Sequence, residues 1–230
     1  RCFEENMGEL TMAARELPPS PFRLVACVVL SFWIAPLMAR SGLAEESTAI
    51  QPNAHQYSQV ASEIEQHFRN QVLPFWFPRC VDQEHGGFRP HFRSDGSLGG
   101  NNEKTIVFQS RMTWVAAEVA QRYPELAETY RNYARHGLKF LRTVMWDQEH
   151  GGFYWGLTEN GQVTPNYGQE KHLYGISFGL YAAANAYRAT GDADALQLAQ
   201  DTFHWLEKHA WDRSSGGYWE AFARDGTPIV

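Results

Sequence analysis

The chain has 230 residues, of which 43% are hydrophobic and 14% aromatic, enough to bury a sizeable core in one domain or slightly more. Its formal net charge of −6 and its pI of about 5.8 count against nucleic acid or an anionic membrane surface as a partner. The eight Trp and ten Tyr residues suit an aromatic core, and they also suit a site where flat sugar faces stack on rings.

The N-terminal segment has the pattern of an export signal. Residues 24–38 are an apolar run that follows arginines and precedes the small-x-small sequence Gly42-Leu43-Ala44. The run is shorter than the roughly 20 residues that a membrane-spanning helix needs. The sequence therefore predicts that residues 1–44 are upstream residues and a signal peptide, that cleavage follows Ala44, and that the protein is exported to the periplasm or the cell exterior. An uncleaved membrane anchor is the alternative.

An internal repeat organises the remainder of the chain. The string Asp82–Phe88 returns unchanged as Asp147–Phe153 and more loosely as Asp212–Tyr218, with a spacing of 65 residues each time. Each copy is followed at constant distance by a second turn signal: Asp95-Gly96, Asn160-Gly161 and Asp225-Gly226. Because Asn-Gly and Asp-Gly pairs favour tight hairpin turns and aromatic residues alternate nearby, each copy is predicted to form a short β-hairpin.

Between these hairpins the hydrophobic pattern becomes helical. Amphipathic segments with one apolar stripe alternate with segments that are apolar on nearly all sides, which is typical of buried helices. The amphipathic helices are predicted at 57–72 (ended by Pro74), 126–146 and 192–211, and the buried ones at 104–123 (ended by Pro124) and 171–190 (capped by Gly191).

This alternation predicts an all-α fold with two concentric layers, an (α/α) toroid, with its short β-hairpins gathered at one end. Residues 45–230 would form part of such a ring. Val230 falls where a third inner helix should begin, and an unclosed ring would expose the apolar flanks of its end units. A C-terminal truncation is therefore expected.

Polar residues on the inner helices are the candidates for chemistry. Arg111 lies among apolar neighbours, so its charge needs a partner: either a structural ion pair or an anionic group of a ligand. Lys171 and Lys104 lie at the starts of the two inner helices, where they oppose the helix dipole. A lysine that faces solvent or pairs with a hairpin is the simpler explanation for both. In such a fold the pocket is a funnel lined by the inner helices. Tyr174 could project into this funnel or into the core, and Glu220 could face the mouth of the funnel or solvent.

Several site types are absent from the sequence. The nine His residues include no metal-ligand spacing such as His at i and i+4. There is no nucleophile elbow, phosphate-binding loop or dinucleotide fingerprint. Neither a metal nor a cofactor is expected.

The segments Gln109-Ser110-Arg111-Met112-Thr113-Trp114 and Lys171–Phe178, together with Glu220 after the third hairpin, resemble the N-acylglucosamine 2-epimerase and cellobiose 2-epimerase family. The resemblance covers about residues 55–230. It implies an (α/α)6 barrel, of which residues 45–230 would form about the N-terminal half. It also implies that the enzyme epimerises C2 of a free reducing sugar without a cofactor. It also implies proton transfer through an enediolate by two histidines, which would lie beyond Val230.

The resemblance further implies a role for particular residues. Arg111 would stabilise the oxygen of the substrate or of the enediolate. The predicted substrate-binding residues are Gln109, Trp114, Lys171, Tyr174 and Glu220. The expected partner is a small sugar, with no nucleic acid, no membrane after signal cleavage, and homodimerisation left open.

Other functions remain compatible with the sequence. A family member that converts an aldose to a ketose would look the same over this stretch. An (α/α)6 glycoside hydrolase or unsaturated uronyl hydrolase would need paired carboxylates on inner helices, and these are scarce. A non-catalytic helical-repeat binding module is the third alternative.

Overall fold

Helices separated by short turns make up most of the chain over residues 53–163 and 170–229, the part that the computed structural model describes. The export signal predicted upstream of residue 45 lies outside these residues. The described residues belong to one compact unit. None of the helices in this part of the chain is long and apolar enough to cross a membrane.

The five long helices occur where the hydrophobic period predicts them. Over the described ranges there are six: α1 (Ala54–His67), α2 (Leu73–Trp76), α3 (Ile106–Arg122), α4 (Ala127–Phe140), α5 (Leu173–Thr190) and α6 (Ala193–Trp205). A π-helical turn continues each of α1, α4 and α6, over Phe68–Val72, Leu141–Met145 and Leu206–Ala210 respectively.

The two layers predicted from the alternation of helix types are present. α3 and α5 pack side by side as the inner layer, α4 covers α3, and α6 covers α5. This is the arrangement of an (α/α)6 barrel, and the described residues form an open part of it rather than a closed ring. The outer helix α1 has no buried residue, and its apolar stripe of Tyr57, Val60 and Ile64 is more than half exposed. No described element covers that stripe.

Two kinds of helix boundary were predicted wrongly. The chain remains helical past Pro74, because this proline lies in the first turn of α2, where a missing N–H costs little. The inner helices begin two residues after the predicted Lys104 and Lys171, since both lysines belong to short strands. The ends are as predicted: Tyr123 caps α3 immediately before Pro124, and Gly191 caps α5 in the left-handed conformation with φ +71°.

The predicted hairpins are pairs of small loops, each closed by one antiparallel bridge. The bridges Val81–Phe88, Trp146–Phe153 and Trp211–Tyr218 close the loops that hold the Gly-Gly pairs, and Phe92–Leu98, Leu157–Val163 and Phe222–Pro228 close the second loops. Both bridges keep the 65-residue period of the sequence. The Gly-Gly pairs are required because both glycines of every copy have positive φ.

Short strands link each hairpin to its neighbour in the repeat. Strand β1 (Lys104–Thr105) pairs antiparallel with β2 (Gly156–Leu157), and β3 (Glu170–His172) pairs antiparallel with β4 (Ala221–Ala223). Each strand that enters an inner helix therefore pairs with the hairpin of the following repeat. The hairpins consequently gather at the end of the helical layers where the inner helices begin.

Candidate functional site

A row of aromatic and charged side chains runs along the surface that α3 and α5 share. On α3 the row contains Arg111, Trp114 and Glu118, and on α5 it contains Tyr174, Phe178 and Tyr181. Spacings of three and four residues place each set on one side of its helix. None of these six residues is fully buried, whereas the opposite side of each helix is packed into the core. We call these six residues the inner face.

Arg111 is exposed on the inner face and is held by an aromatic ring. Its Cζ atom lies 4.9 Å from the centroid of the Phe178 ring on α5, a cation–π distance. Within the described part of the chain, six other arginines form ion pairs with carboxylates, and Arg111 forms none. The structural ion pair that the sequence left open is therefore not found here, and the hydrogen-bond donors of Arg111 are not engaged by a carboxylate.

Trp114 and Tyr181 form the next layer of the inner face. Their rings stack with centroids 5.0 Å apart and an interplanar angle of 13°. Burial raises the pKa of the Tyr181 hydroxyl; the charge of Glu118 raises it further and that of Arg111 lowers it. The Tyr181 side chain is thus within electrostatic reach of both charged residues of this face.

Tyr174 and Glu220 come together at the hairpin end. Both line an open depression of about 400 Å³ that also includes Ser177. The Tyr174 side chain is 49% exposed, so it does not occupy the core. The main-chain oxygen of Glu220 accepts a hydrogen bond of 2.8 Å from the N–H of Leu173. This bond fixes Glu220 beside the start of α5 and leaves its carboxylate exposed.

Gln109 was predicted to bind substrate, but its side chain has a structural role instead. It is fully buried, and its side chain both accepts a 2.7 Å hydrogen bond from the N–H of Phe88 and donates a 2.7 Å bond to the oxygen of the same residue. The amide therefore satisfies both main-chain groups of a buried hairpin residue. This position counts against direct contact with substrate, and it arises because residue 109 lies on the side of α3 opposite the inner face.

Lys171 is likewise buried in the hairpin layer and does not reach the inner face. Its ammonium donates to Asp147 Oδ2 at 3.0 Å and to the main-chain oxygen of Gly151 at 2.6 Å, with both charged side chains fully buried. Arg224, from the following repeat, binds the same carboxylate at 2.9 Å. The predicted substrate contact is therefore not supported. The alternative, pairing with a hairpin, is what the structure shows.

The first repeat contains an equivalent cluster. Lys104 donates to Asp82 Oδ2 at 2.7 Å and to the oxygen of Gly86 at 2.7 Å, and Arg89 binds the other carboxylate oxygen at 3.0 Å. The third copy, Asp212, is not buried and pairs with no lysine or arginine among the described residues. In the first two repeats the aspartate thus ties a hairpin loop to the strand that enters the next inner helix.

Phe178 and Tyr181 were missed as site residues. The sequence shows them only as members of a helix that is apolar nearly all round. The signal that could have found them is their spacing from Tyr174, which places all three on one side of α5. Across the described residues, no group of three or more His, Cys, Asp and Glu side chains could hold a metal ion.

The fold and the inner face define a class of proteins: helical toroids with a funnel lined by inner helices. Comparison with known proteins shows which family within this class the chain belongs to. The family model of N-acylglucosamine 2-epimerase matches residues 86–229. Because that match covers more than half of the chain, the chain belongs to the N-acylglucosamine 2-epimerase family.

Individual relatives are enzymes that act on sugars. A cellobiose 2-epimerase of Bacteroides fragilis is 30% identical over 171 residues, covering 74% of this chain and 42% of the relative. A D-mannose isomerase of Marinomonas mediterranea is 32% identical over 154 residues, covering 67% and 37%. The chain therefore spans about two fifths of the length of the curated relatives it matches.

Solved structures of other proteins have a similar fold. A cellobiose 2-epimerase of Spirochaeta thermophila is similar with a TM-score of 0.68 and 32% identity, covering 77% of this chain and 43% of that one. A family 76 glycoside hydrolase from Bacteroides thetaiotaomicron has a TM-score of 0.55 at 16% identity, covering 76% and 34%. The second likeness shows a shared fold alone.

Proposed function

We propose that this chain is part of a carbohydrate epimerase or isomerase that acts at C2 of a free reducing sugar. Its membership of the family and the names of its relatives, cellobiose 2-epimerase and D-mannose isomerase, support this proposal. The single observation that carries it is Arg111, an exposed arginine on an aromatic surface whose donors no described carboxylate occupies.

The proposed chemistry needs no group beyond amino-acid side chains. A base removes the proton on C2 of the ring-opened sugar, the electrons of the C–H bond form a C1–C2 double bond, and the carbonyl oxygen gains negative charge. Arg111 donates hydrogen bonds to that oxygen, which is more basic in the enediolate than in the sugar, so the donor favours the transition state. A proton returned to the opposite face of C2 restores the C1 carbonyl and gives the epimer. A proton returned to C1, with transfer of the C2 hydroxyl proton to the C1 oxygen, gives the ketose.

The acid and base are proposed to be histidines beyond Val230, as the family resemblance implies. Tyr174 and Trp114 are proposed as substrate contacts because they belong to the inner face, and Glu220 because it lies at the hairpin end of that face. We also propose export through the N-terminal signal. N-terminal sequencing of the secreted protein should then start at Glu45.

The test uses the complete protein and three sugars: cellobiose, N-acetylglucosamine and mannose. Incubation in deuterium oxide followed by NMR should show deuterium entering at C2 as an epimer accumulates, or at C1 as a ketose accumulates. Arg111→Ala should lower kcat by roughly 10²- to 10³-fold, as loss of an oxyanion donor does. Arg111→Lys should recover little because it lacks the planar fork.

Arg122→Ala is the matched control, since Arg122 is exposed on the same helix but lies at its far end. It should retain wild-type kcat. Cleavage of a glycosidic bond without exchange at C2 would favour the hydrolase instead, and sugar binding without any turnover would favour the binding module. Normal kcat in Arg111→Ala with a lowered melting temperature would assign Arg111 to the scaffold.

A further inference from the structure

The proposed role of Arg111 requires that its side chain be held in one orientation. A guanidinium that stabilises a developing charge must already be in place before the reaction. Reorienting it during the reaction would cost the free energy that its hydrogen bonds supply to the transition state. Arg111 is exposed, and an arginine side chain has many rotamers to lose. A carboxylate would hold it, as Asp82 holds Arg89 and Asp192 holds Arg135. That solution occupies the N–H groups that the substrate needs.

Phe178 offers a way to hold the charge without occupying the donors. The Cζ atom of Arg111 lies 4.9 Å from the centre of the Phe178 ring. A phenyl ring attracts the cation through its quadrupole and has no acceptor oxygen. The guanidinium is thereby restrained while its N–H groups remain available at the open side of the inner face.

The ring of Phe178 is itself restrained. Tyr174, one turn earlier on α5, makes a T-shaped contact with it at 5.0 Å and 67°, and Tyr181, one turn later, makes another at 5.9 Å and 78°. Tyr181 in turn stacks on Trp114 of α3. The ring that holds Arg111 is therefore built into an aromatic chain that crosses from one inner helix to the other.

We infer that Phe178 is a positioning residue: it holds the Arg111 guanidinium in its working orientation and leaves its hydrogen-bond donors free for the sugar oxygen. This inference rests on the proposed function of Arg111. The Phe178 side chain has no hydrogen-bond donor or acceptor, so it acts on the reaction only through the arginine.

Phe178→Leu in the complete protein tests the kinetic consequence. Leucine keeps an apolar side chain but removes the ring, so kcat should fall about 5- to 30-fold, the range of a partly desolvated cation–π contact, while KM changes less. Phe178→Tyr keeps the ring and should restore kcat. In an Arg111→Ala background, Phe178→Leu should cause no further loss of kcat, because the group that it positions is gone. Tyr187→Leu, at an exposed ring on the same helix, should leave kcat unchanged.

A second measurement reports the position of Arg111 without relying on turnover. The side-chain Nε–H signal of Arg111 is identified by its loss in Arg111→Lys. In the wild type it should show an upfield ring-current shift and restricted motion, and in Phe178→Leu both should disappear. Unchanged signals in Phe178→Leu, or equal falls of kcat in the wild-type and Arg111→Ala backgrounds, would overturn the inference. A wild type that neither epimerises nor isomerises any of the three sugars would overturn the proposed function. The Arg111 Nε–H signal would then be the sole test of whether Phe178 positions the guanidinium.

Discussion

Replacing Asp147 by asparagine should destabilise the fold strongly, because it leaves a buried ammonium without a counter-charge. Asparagine has nearly the same shape, and its side-chain oxygen can still accept the loop hydrogen bonds that Glu149 and His150 donate to Asp147 at 3.0 and 3.3 Å. What disappears is the charge opposite Lys171, whose side chain is fully buried. Removing one partner of a buried pair costs about 3–5 kcal/mol.

The groups around Asp147 and Lys171 determine how strongly each substitution should lower the free energy of unfolding. Lys171→Met keeps the apolar stem, and Asp147 then still has Arg224 at 2.9 Å, so the loss should be smaller, roughly 1–3 kcal/mol. Combining both substitutions removes the unpaired ammonium. The double variant should therefore be more stable than Asp147→Asn alone. Asp212→Asn is the matched control, since Asp212 occupies the same repeat position but is only half-buried and pairs with no lysine or arginine among the described residues. It should change stability little.

Urea unfolding followed by circular dichroism measures these free energies. The pH dependence adds a second check. Burial by itself would raise the pKa of the Asp147 carboxyl, but hydrogen bonds from Arg224 and Lys171 outweigh burial and hold that pKa well below its usual range. A lowered pKa in the folded state stabilises the protein above the unfolded pKa of about 3.9, and this contribution is lost as the pH falls toward the folded value. The gap between wild type and Asp147→Asn should therefore shrink below about pH 4.

Two results would refute this reasoning. The first is a loss of less than about 1 kcal/mol for Asp147→Asn, which is the range of an exposed ion pair. The second is a double variant that is no more stable than Asp147→Asn, because the penalty would then not come from an unpaired Lys171.

Two further substitutions test the packing on the buried sides of α3 and α5, opposite the inner face. Gln109→Leu should cost roughly 1–3 kcal/mol in urea unfolding, because the buried N–H and carbonyl of Phe88 lose their partners; unchanged stability would mean that water replaces the amide. Gly179→Ala should cost about 1–3 kcal/mol by overpacking, since a Cβ there would lie 2.1 Å from Cε2 of Phe153. Gly100→Ala is the control, because a Cβ there meets no atom within 4 Å and Gly100, like Gly179, has no positive φ. A melting temperature of Gly179→Ala equal to that of the wild type would show that Phe153 can move aside.

Part of the candidate site could be predicted from the sequence and part could not. The pattern placed Arg111, Trp114 and Tyr174 on inner helices, because helical periodicity and the apolar surroundings are local properties of the chain. It could not tell which side of an all-apolar helix faces the funnel, since apolar residues on every side give no preferred direction. Gln109 and Arg111 are two residues apart, yet one is buried against a hairpin and the other is exposed on the inner face.

The sequence by itself determined the repeat, the alternation of helix types and the positions of the Gly-Gly turns. Each of these follows from short-range physics: a 65-residue period, a hydrophobic stripe, and glycines that tolerate positive φ. Only the tertiary structure decided the partners of the charged residues. Lys171 meets Asp147 across 24 residues and Arg224 reaches the same carboxylate across 77 residues. Such pairs depend on how the repeats stack, which no local pattern records, and the same stacking places Phe178 against Arg111.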